Sequence, residues 1–126
     1  MLLDRQPDPR LTAFIVWVPK LGGQESNVEA ATQFASDSRA THYWDASAGL
    51  VHAYDKVLGL NQDAWDVFMI FGPDARWDGP TPPVPDFWMH NLHLPPAGGE
   101  NGSHINAAVF AAHADSLLHR PSTTPR

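Results

Sequence analysis

The stretch from Thr41 to Trp77 constrains the fold most, because three local patterns follow one another in it with only short gaps. A short strand pattern ends at Trp44. Apolar residues then recur at three- and four-residue steps as far as Leu58, and a continuous apolar run covers Val67–Phe71. A strand, a one-sided helix and a second strand in this order predict an α/β domain.

The helix in this stretch has a predicted start, buried face and end. Asp45 is a good N-cap acceptor for the first amides, and Gly59 lies where a helix C-cap favours positive φ. The predicted apolar stripe consists of Gly49, Leu50, Ala53, Tyr54, Val57 and Leu58. A helix that is apolar on one side only must pack against an apolar surface.

Two continuous apolar runs, Phe14–Val18 and Val67–Phe71, are the predicted strands of that surface. A strand covered on both faces need not alternate apolar with polar residues, so we expect these two strands to be adjacent and central. Gly72–Ala75, with Pro73 at its second position, predicts a turn. Arg76 and Trp77 would then begin a return strand, which makes a hairpin.

A crossover helix is needed if Phe14–Val18 and His42–Trp44 are parallel. Ser26 and Glu29 form a capping-box pattern that would start this helix, and the helix would end near Asp37.

A last helix is expected from about His104 to about Leu118, after a cap at Ser103 or Asn101. The predicted organisation is therefore an N-terminal tail at 1–10, a domain at 11–118 with a proline-rich insertion at about 78–101, and a disordered tail at 119–126.

This order of elements, with Leu58-Gly59-Leu60 closing the helix and Gly72-Pro73-Asp74-Ala75 in the hairpin, resembles the thioredoxin-like superfamily. Its peroxiredoxin and thiol-disulfide interchange branch is the nearest, and the resemblance covers roughly Leu11 to Trp77. It implies an α/β fold with a mixed sheet flanked by helices. The family's first strand and the helix with its Cys-x-x-Cys have no counterpart here, and Trp65 stands where the family has a cis-proline.

The chain contains no cysteine, so it has no thiol nucleophile and no redox pair. Two functional hypotheses follow. The first is a non-redox thioredoxin-like module that binds a ligand or has a structural role. The second is the C-terminal part of a thiol-disulfide oxidoreductase or peroxiredoxin-like enzyme whose catalytic cysteines lie upstream.

The predicted ligand-binding residues are aromatic and acidic side chains near strand ends. They are His42, Trp44, Asp45, Trp65 and Asp66. Loops after the carboxyl ends of parallel strands meet at one edge of a sheet, where α/β domains bind ligands. The competing interpretation is that the tryptophans are packing residues with hydrogen-bonded indoles, which is the more common role of large aromatic side chains.

His90 and His93 are three residues apart, so they form the weaker alternative of a metal site. The spacing specifies no third ligand, and a histidine outside such a cluster is more often a hydrogen-bonding residue. We therefore predict no metal, no cofactor and no catalytic residue in this chain.

The net charge of −6, from 8 basic and 14 acidic residues, argues against a nucleic-acid partner. No apolar run approaches the roughly 20 residues of a membrane span, so a membrane location is not expected. A complete chain would be cytoplasmic, and its partner would be an unknown protein or small molecule. The missing first strand would leave an open sheet edge at Phe14–Val18 or at His42–Trp44, through which the domain could self-associate. The nearby residues that could protect this edge are Pro7, Pro9 and Lys20.

Overall fold

The computed structural model describes residues 6–18 and 37–119. These residues fall into two compact units. The parallel-sheet unit takes the described parts of Thr12–Trp65 together with Arg76–Val84. The hairpin unit takes the described parts of Met1–Leu11 and Pro85–Arg126 together with Asp66–Ala75.

Five strands and two helices lie within the described ranges. In chain order they are β1 (Ala13–Trp17), β2 (Ala40–Trp44), α1 (Gly49–Leu58), β3 (Val67–Ile70), β4 (Phe87–His90), β5 (Ser103–His104) and α2 (Ala107–His119). The described part of the chain is therefore of the α/β class, with two small sheets.

In the parallel-sheet unit, β1 and β2 pair in parallel, which is the condition under which the sequence requires a crossover; Ala13 lies opposite Ala40 and Trp17 opposite Trp44. Asp37 stabilises the approach to β2, because its carboxylate accepts hydrogen bonds from the backbone and guanidinium of Arg39. These bonds lower the pKa of Asp37 to about 2. The predicted crossover helix from Ser26 lies outside the described residues.

The predicted N-cap of α1 is wrong, because the helix begins at Gly49 and its N-cap residue is Ala48, not Asp45. The predicted end at Gly59 is confirmed. Gly59 has φ 70°, the left-handed conformation that favours glycine, and its N–H donates to carbonyls of the last turn. The buried side chains of the helix are Val51 and Tyr54. Val51 lies outside the predicted stripe, so that part of the prediction is wrong. Tyr54 donates its hydroxyl to the Pro83 carbonyl at 3.1 Å, and burial raises its pKa.

In the hairpin unit, β4 is the middle strand of a three-stranded sheet. It pairs with β3 in antiparallel and with β5 in parallel orientation. Alternate residues of the sheet, together with Ala114 of α2, form the core: Ile70, Phe87, Met89 and Ala114. Partly buried side chains, including Val109 and Phe110 of α2, pack against this core.

Helix α2 is capped at both ends by side chains of its own unit. Asn106 Oδ1 accepts the amides of Ala108 and Val109 at the start, so the cap is Asn106 and not Ser103 or Asn101. At the other end, the Arg10 guanidinium donates to the Leu118 carbonyl at 3.0 Å. A cation at this position also suits the negative end of the helix dipole.

The predicted adjacency of Phe14–Val18 and Val67–Phe71 is wrong. β1 and β3 belong to different sheets, and Phe14 and Phe68 remain 68% and 39% exposed. A continuous apolar run shows that a segment favours the extended conformation, but it does not identify the strand with which that segment pairs.

The return strand at Arg76–Trp77 is also wrong. The turn forms, because the Ala75 amide donates to the Gly72 carbonyl at 3.2 Å. The chain then runs without a strand to β4, the antiparallel partner of β3. Prolines, which cannot donate to a sheet ladder, are frequent between the turn and β4: Pro80, Pro82, Pro83 and Pro85. The segment predicted as an insertion thus supplies the middle strand.

Met89→Ala should destabilise the protein by about 2–5 kcal/mol, because Met89 is 1% exposed at the centre of the core and its truncation leaves a cavity. Urea unfolding followed by circular dichroism measures this change. Val84→Ala is the control, since Val84 is 73% exposed and its truncation should change stability by no more than about 0.5 kcal/mol. Equal effects of the two substitutions would contradict the assigned core.

Candidate functional site

The predicted ligand-binding residues His42 and Trp44 lie on the less exposed face of the β1–β2 sheet, together with Trp17. Trp17 Nε1–H donates to His42 Nδ1 at 3.0 Å, and the two rings stack with 6.0 Å between centroids. This bond uses Nδ1 of His42 as an acceptor, so the neutral imidazole carries its hydrogen on Nε2. The pair cross-links neighbouring strands.

Asp45 follows β2 and stabilises the start of α1. Its carboxylate accepts the Leu50 amide at 3.0 Å and the Ser47 hydroxyl at 3.0 Å. The hydrogen bond from Leu50 is the main reason that the pKa of Asp45 is lowered. The carboxylate is therefore oriented by a backbone amide of the first turn, although Asp45 itself lies three residues before the N-cap Ala48.

Trp65 is half-buried and belongs to the parallel-sheet unit, whereas Asp66 belongs to the hairpin unit. The Asp66 carbonyl accepts the Asn91 amide at 2.9 Å, which fixes the entry to β3. A ligand site made of His42, Trp44, Asp45, Trp65 and Asp66 stays a prediction.

His90 lies on strand β4 and is 3% exposed, whereas His93 is exposed in the following loop. His90 Nδ1 accepts the Leu92 amide at 3.1 Å. The strand register places His104 beside His90, with 5.7 Å between ring centroids. Burial, followed by the neighbouring His104, lowers the pKa of His90. The sheet thus pairs His90 with a different histidine from the one that the sequence suggests.

Within residues 6–18 and 37–119, no group of three or more histidine, cysteine, aspartate or glutamate side chains could hold a metal ion. Two imidazoles, such as His90 and His104, supply fewer protein ligands than zinc sites use.

A surface pocket of about 240 Å³ lies where the start of β4 meets the last turns of α2. Its lining combines a carboxylate, an imidazole and a hydroxyl with two apolar side chains: Asp86, His113, Ser116, Phe87 and Leu117. His113, Ser116 and Leu117 share one face of α2, because they are three and four residues apart. The pocket is open to solvent, and its lining combines polar with apolar side chains, as the linings of small-molecule sites do.

His113 is oriented from two directions. Its ring stacks on Phe87 with 3.7 Å between centroids and 8° between planes. Its Nε2 lies 3.1 Å from Glu100 Oε1. A carboxylate oxygen accepts hydrogen bonds, so Nε2 of His113 donates to it. A ring fixed by a stacking partner and a carboxylate presents its remaining edge in a defined direction.

Asp86 is fixed as well, since its Oδ2 accepts the Gly72 amide at 2.5 Å while the Asp86 amide donates to the Ile70 carbonyl at 2.8 Å. These bonds join Asp86 to the end of β3 and to the first residue of the turn that follows it. A carboxylate has about four acceptor positions, so the bond to Gly72 leaves it able to bind a further donor.

The residue patterns of the sequence did not indicate a shared site for Asp86, Phe87, His113, Ser116 and Leu117. The three- and four-residue spacing of His113, Ser116 and Leu117 does indicate that they share one face of a helix. The pairing of Phe87 with Ile70 cannot be predicted from local sequence patterns. This pairing places β4 beside α2.

Comparison of this chain with protein-family models, with curated proteins and with solved structures found no match. Among the described residues, no helix is long and apolar enough to cross a membrane.

The stability of the protein should fall as the pH drops from about 7.5 to about 5.5. The pKa of buried His90 is lowered from its ordinary value of 6.5, so the unfolded chain binds more protons than the folded chain in this range. The contribution of neutral His90 to stability is present above its unfolded-state pKa of 6.5, and it is lost as the pH falls from there through the lower pKa of the folded state. Melting temperatures measured across this range test the prediction.

His90→Gln should reduce the acid-induced loss of melting temperature, because it removes the titrating group and retains a hydrogen-bond acceptor. His93→Gln is the matched control at an exposed position and should leave the loss unchanged. The same loss in wild type and His90→Gln would show that other groups cause it.

Proposed function

We propose that this protein is a non-redox binding module, and that the pocket at Asp86, Phe87, His113, Ser116 and Leu117 is its ligand site. The observation that carries the proposal is the fixed imidazole of His113, which stacks on Phe87 and donates to Glu100 at the edge of the pocket. The absence of cysteine supports a non-redox role, because no thiolate can attack a disulfide or a peroxide.

A relation to thioredoxin-like domains remains a proposal. The parallel pairing of β1 with β2, followed by α1 and β3, supports it. The separate sheets of β1 and β3 count against a single sheet of that type. The alternative of a C-terminal part of a thiol-disulfide enzyme depends on the same resemblance, and a Cys-x-x-Cys in the reading frame before Met1 would favour it.

Filling the pocket should abolish ligand binding. Ser116→Trp places an indole in the pocket lining, whereas Ala112→Trp places one at an exposed position of the same helix. In ¹⁵N-correlated NMR spectra with a library of small polar fragments, we expect some fragments to shift the amides of Phe87, His113 and Leu117. These shifts should persist in Ala112→Trp and disappear in Ser116→Trp.

Thermal melts of both variants verify that each is folded. Shifts retained in Ser116→Trp would place binding elsewhere, and a library without any fragment that shifts these amides would contradict the proposed site.

A second candidate function is self-association through the β1–β2 sheet. Within the described part of the chain, β1 and β2 pair only with each other. On the more exposed face, Phe14 and Tyr43 stack with 6.3 Å between centroids, and Tyr43 is 50% exposed. A two-stranded sheet with open edges and exposed aromatic side chains can add strands or bury this face against a second copy.

Light scattering of wild type should then give a mass greater than that of one chain, and the mass should rise with concentration. Phe14→Thr combined with Tyr43→Thr should shift the equilibrium to the monomer, because it removes the exposed apolar area. Val84→Thr is the control for loss of an exposed apolar residue elsewhere. A monomeric wild type at all concentrations would contradict self-association.

A further inference from the structure

We infer that the pocket beside α2 takes a small organic cation, with an amine head and a short apolar stem. This inference rests on the proposed function and adds the chemical class of the ligand. It depends on three features of the site: the carboxylate in the lining, the end of the helix that the pocket adjoins, and the size and apolar character of the remaining walls.

Asp86 supplies the carboxylate of the lining. It is fixed by the Gly72 amide and retains acceptor capacity. A second carboxylate, Glu100, is bound to the His113 ring that forms one wall. An ammonium group offers three donors and a positive charge, so it satisfies an ionised carboxylate better than a neutral donor does. A ligand carboxylate would meet like charge here.

The carboxyl end of α2, which adjoins the pocket, also favours a positively charged ligand. Ser116 and Leu117 lie in the last turn of α2, which ends at His119. The carboxyl end of a helix carries partial negative charge from its unpaired carbonyls, and cations are favoured there. Arg10 is the opposing group, because its guanidinium already donates to the Leu118 carbonyl. Its positive charge is compensated by Asp8, which accepts from Arg10 Nη2 at 2.8 Å and from Arg10 Nε at 3.2 Å.

The apolar side chains of the pocket indicate the character of the part of the ligand beyond its amine. Phe87 and Leu117 contact the pocket, so a short alkyl stem can bury its surface against them. The volume of about 240 Å³ is below the roughly 300–1,000 Å³ of sites for drug-sized ligands. The ligand therefore has few heavy atoms, as in a short alkylamine or the end of a lysine side chain.

Three probes of equal length separate charge from apolar contact. n-Butylamine carries the predicted cation, n-butanol is its neutral analogue and butyrate is its anionic analogue. Each is titrated into the full chain and followed through the amide shifts of Phe87, His113 and Leu117. We expect saturable shifts with butylamine alone, and a dissociation constant in the millimolar range or weaker, given the ligand's size.

Asp86→Asn removes the charge but keeps an acceptor for the Gly72 amide. It should weaken butylamine binding roughly two- to fivefold, the size expected for an exposed ion pair. Asp78→Asn removes the same charge from an exposed position outside the pocket lining and should leave the affinity unchanged. Equal weakening by both variants would attribute binding to the net charge of the chain and would overturn the inference.

The probes also distinguish failure of the inference from failure of the proposed function. If butanol or butyrate shifts the pocket amides as strongly as butylamine, the pocket binds ligands but the cationic class is wrong. If none of the three probes shifts them, the inference is wrong, and the fragment screen against Ser116→Trp then decides whether the pocket binds any ligand.

Discussion

The antiparallel pairing of β3 with β4 is the interaction on which the hairpin unit depends. Its register sets Ile70 opposite Phe87 and Phe68 opposite Met89, so one face of the sheet is apolar and α2 packs on it. A slip of one residue would turn Met89 away from the core and His90 into it. Phe87 would then no longer lie beneath His113, and the pocket would lose one wall.

Histidines within this unit have different roles because their surroundings differ. His90 is buried on the face of β4 opposite to Met89, and its lowered pKa reflects burial and the nearby His104. Its Nδ1 is engaged by the Leu92 amide. His113 is partly exposed on α2, stacked on Phe87 and bound to Glu100. The first histidine stabilises the sheet, and the second is available to a ligand.

Polar groups in the parallel-sheet unit serve mainly local structure. Asp45 anchors the start of α1 through the Leu50 amide, and His42 accepts the indole hydrogen of Trp17. Gly102 illustrates a similar constraint in the hairpin unit, since its φ is +80° and a Cβ there would lie 3.1 Å from the Trp88 ring. The roles of Asp45, His42 and Gly102 are therefore structural, since each stabilises the local backbone or the pairing of strands.

The sequence by itself determined local elements: the extended segments at β1 and β3, the end of α1 at Gly59 and the turn at Gly72–Ala75, because strand propensity, capping and turn formation depend on neighbouring residues. It placed a last helix correctly but not its cap, since Asn101, Ser103 and Asn106 are all suitable residues. Only the tertiary structure decided that β3 pairs with Phe87–His90 and that His113 meets Phe87 and Glu100. Those contacts join residues far apart in the chain, and they depend on strand register and helix packing, which local residue patterns do not encode.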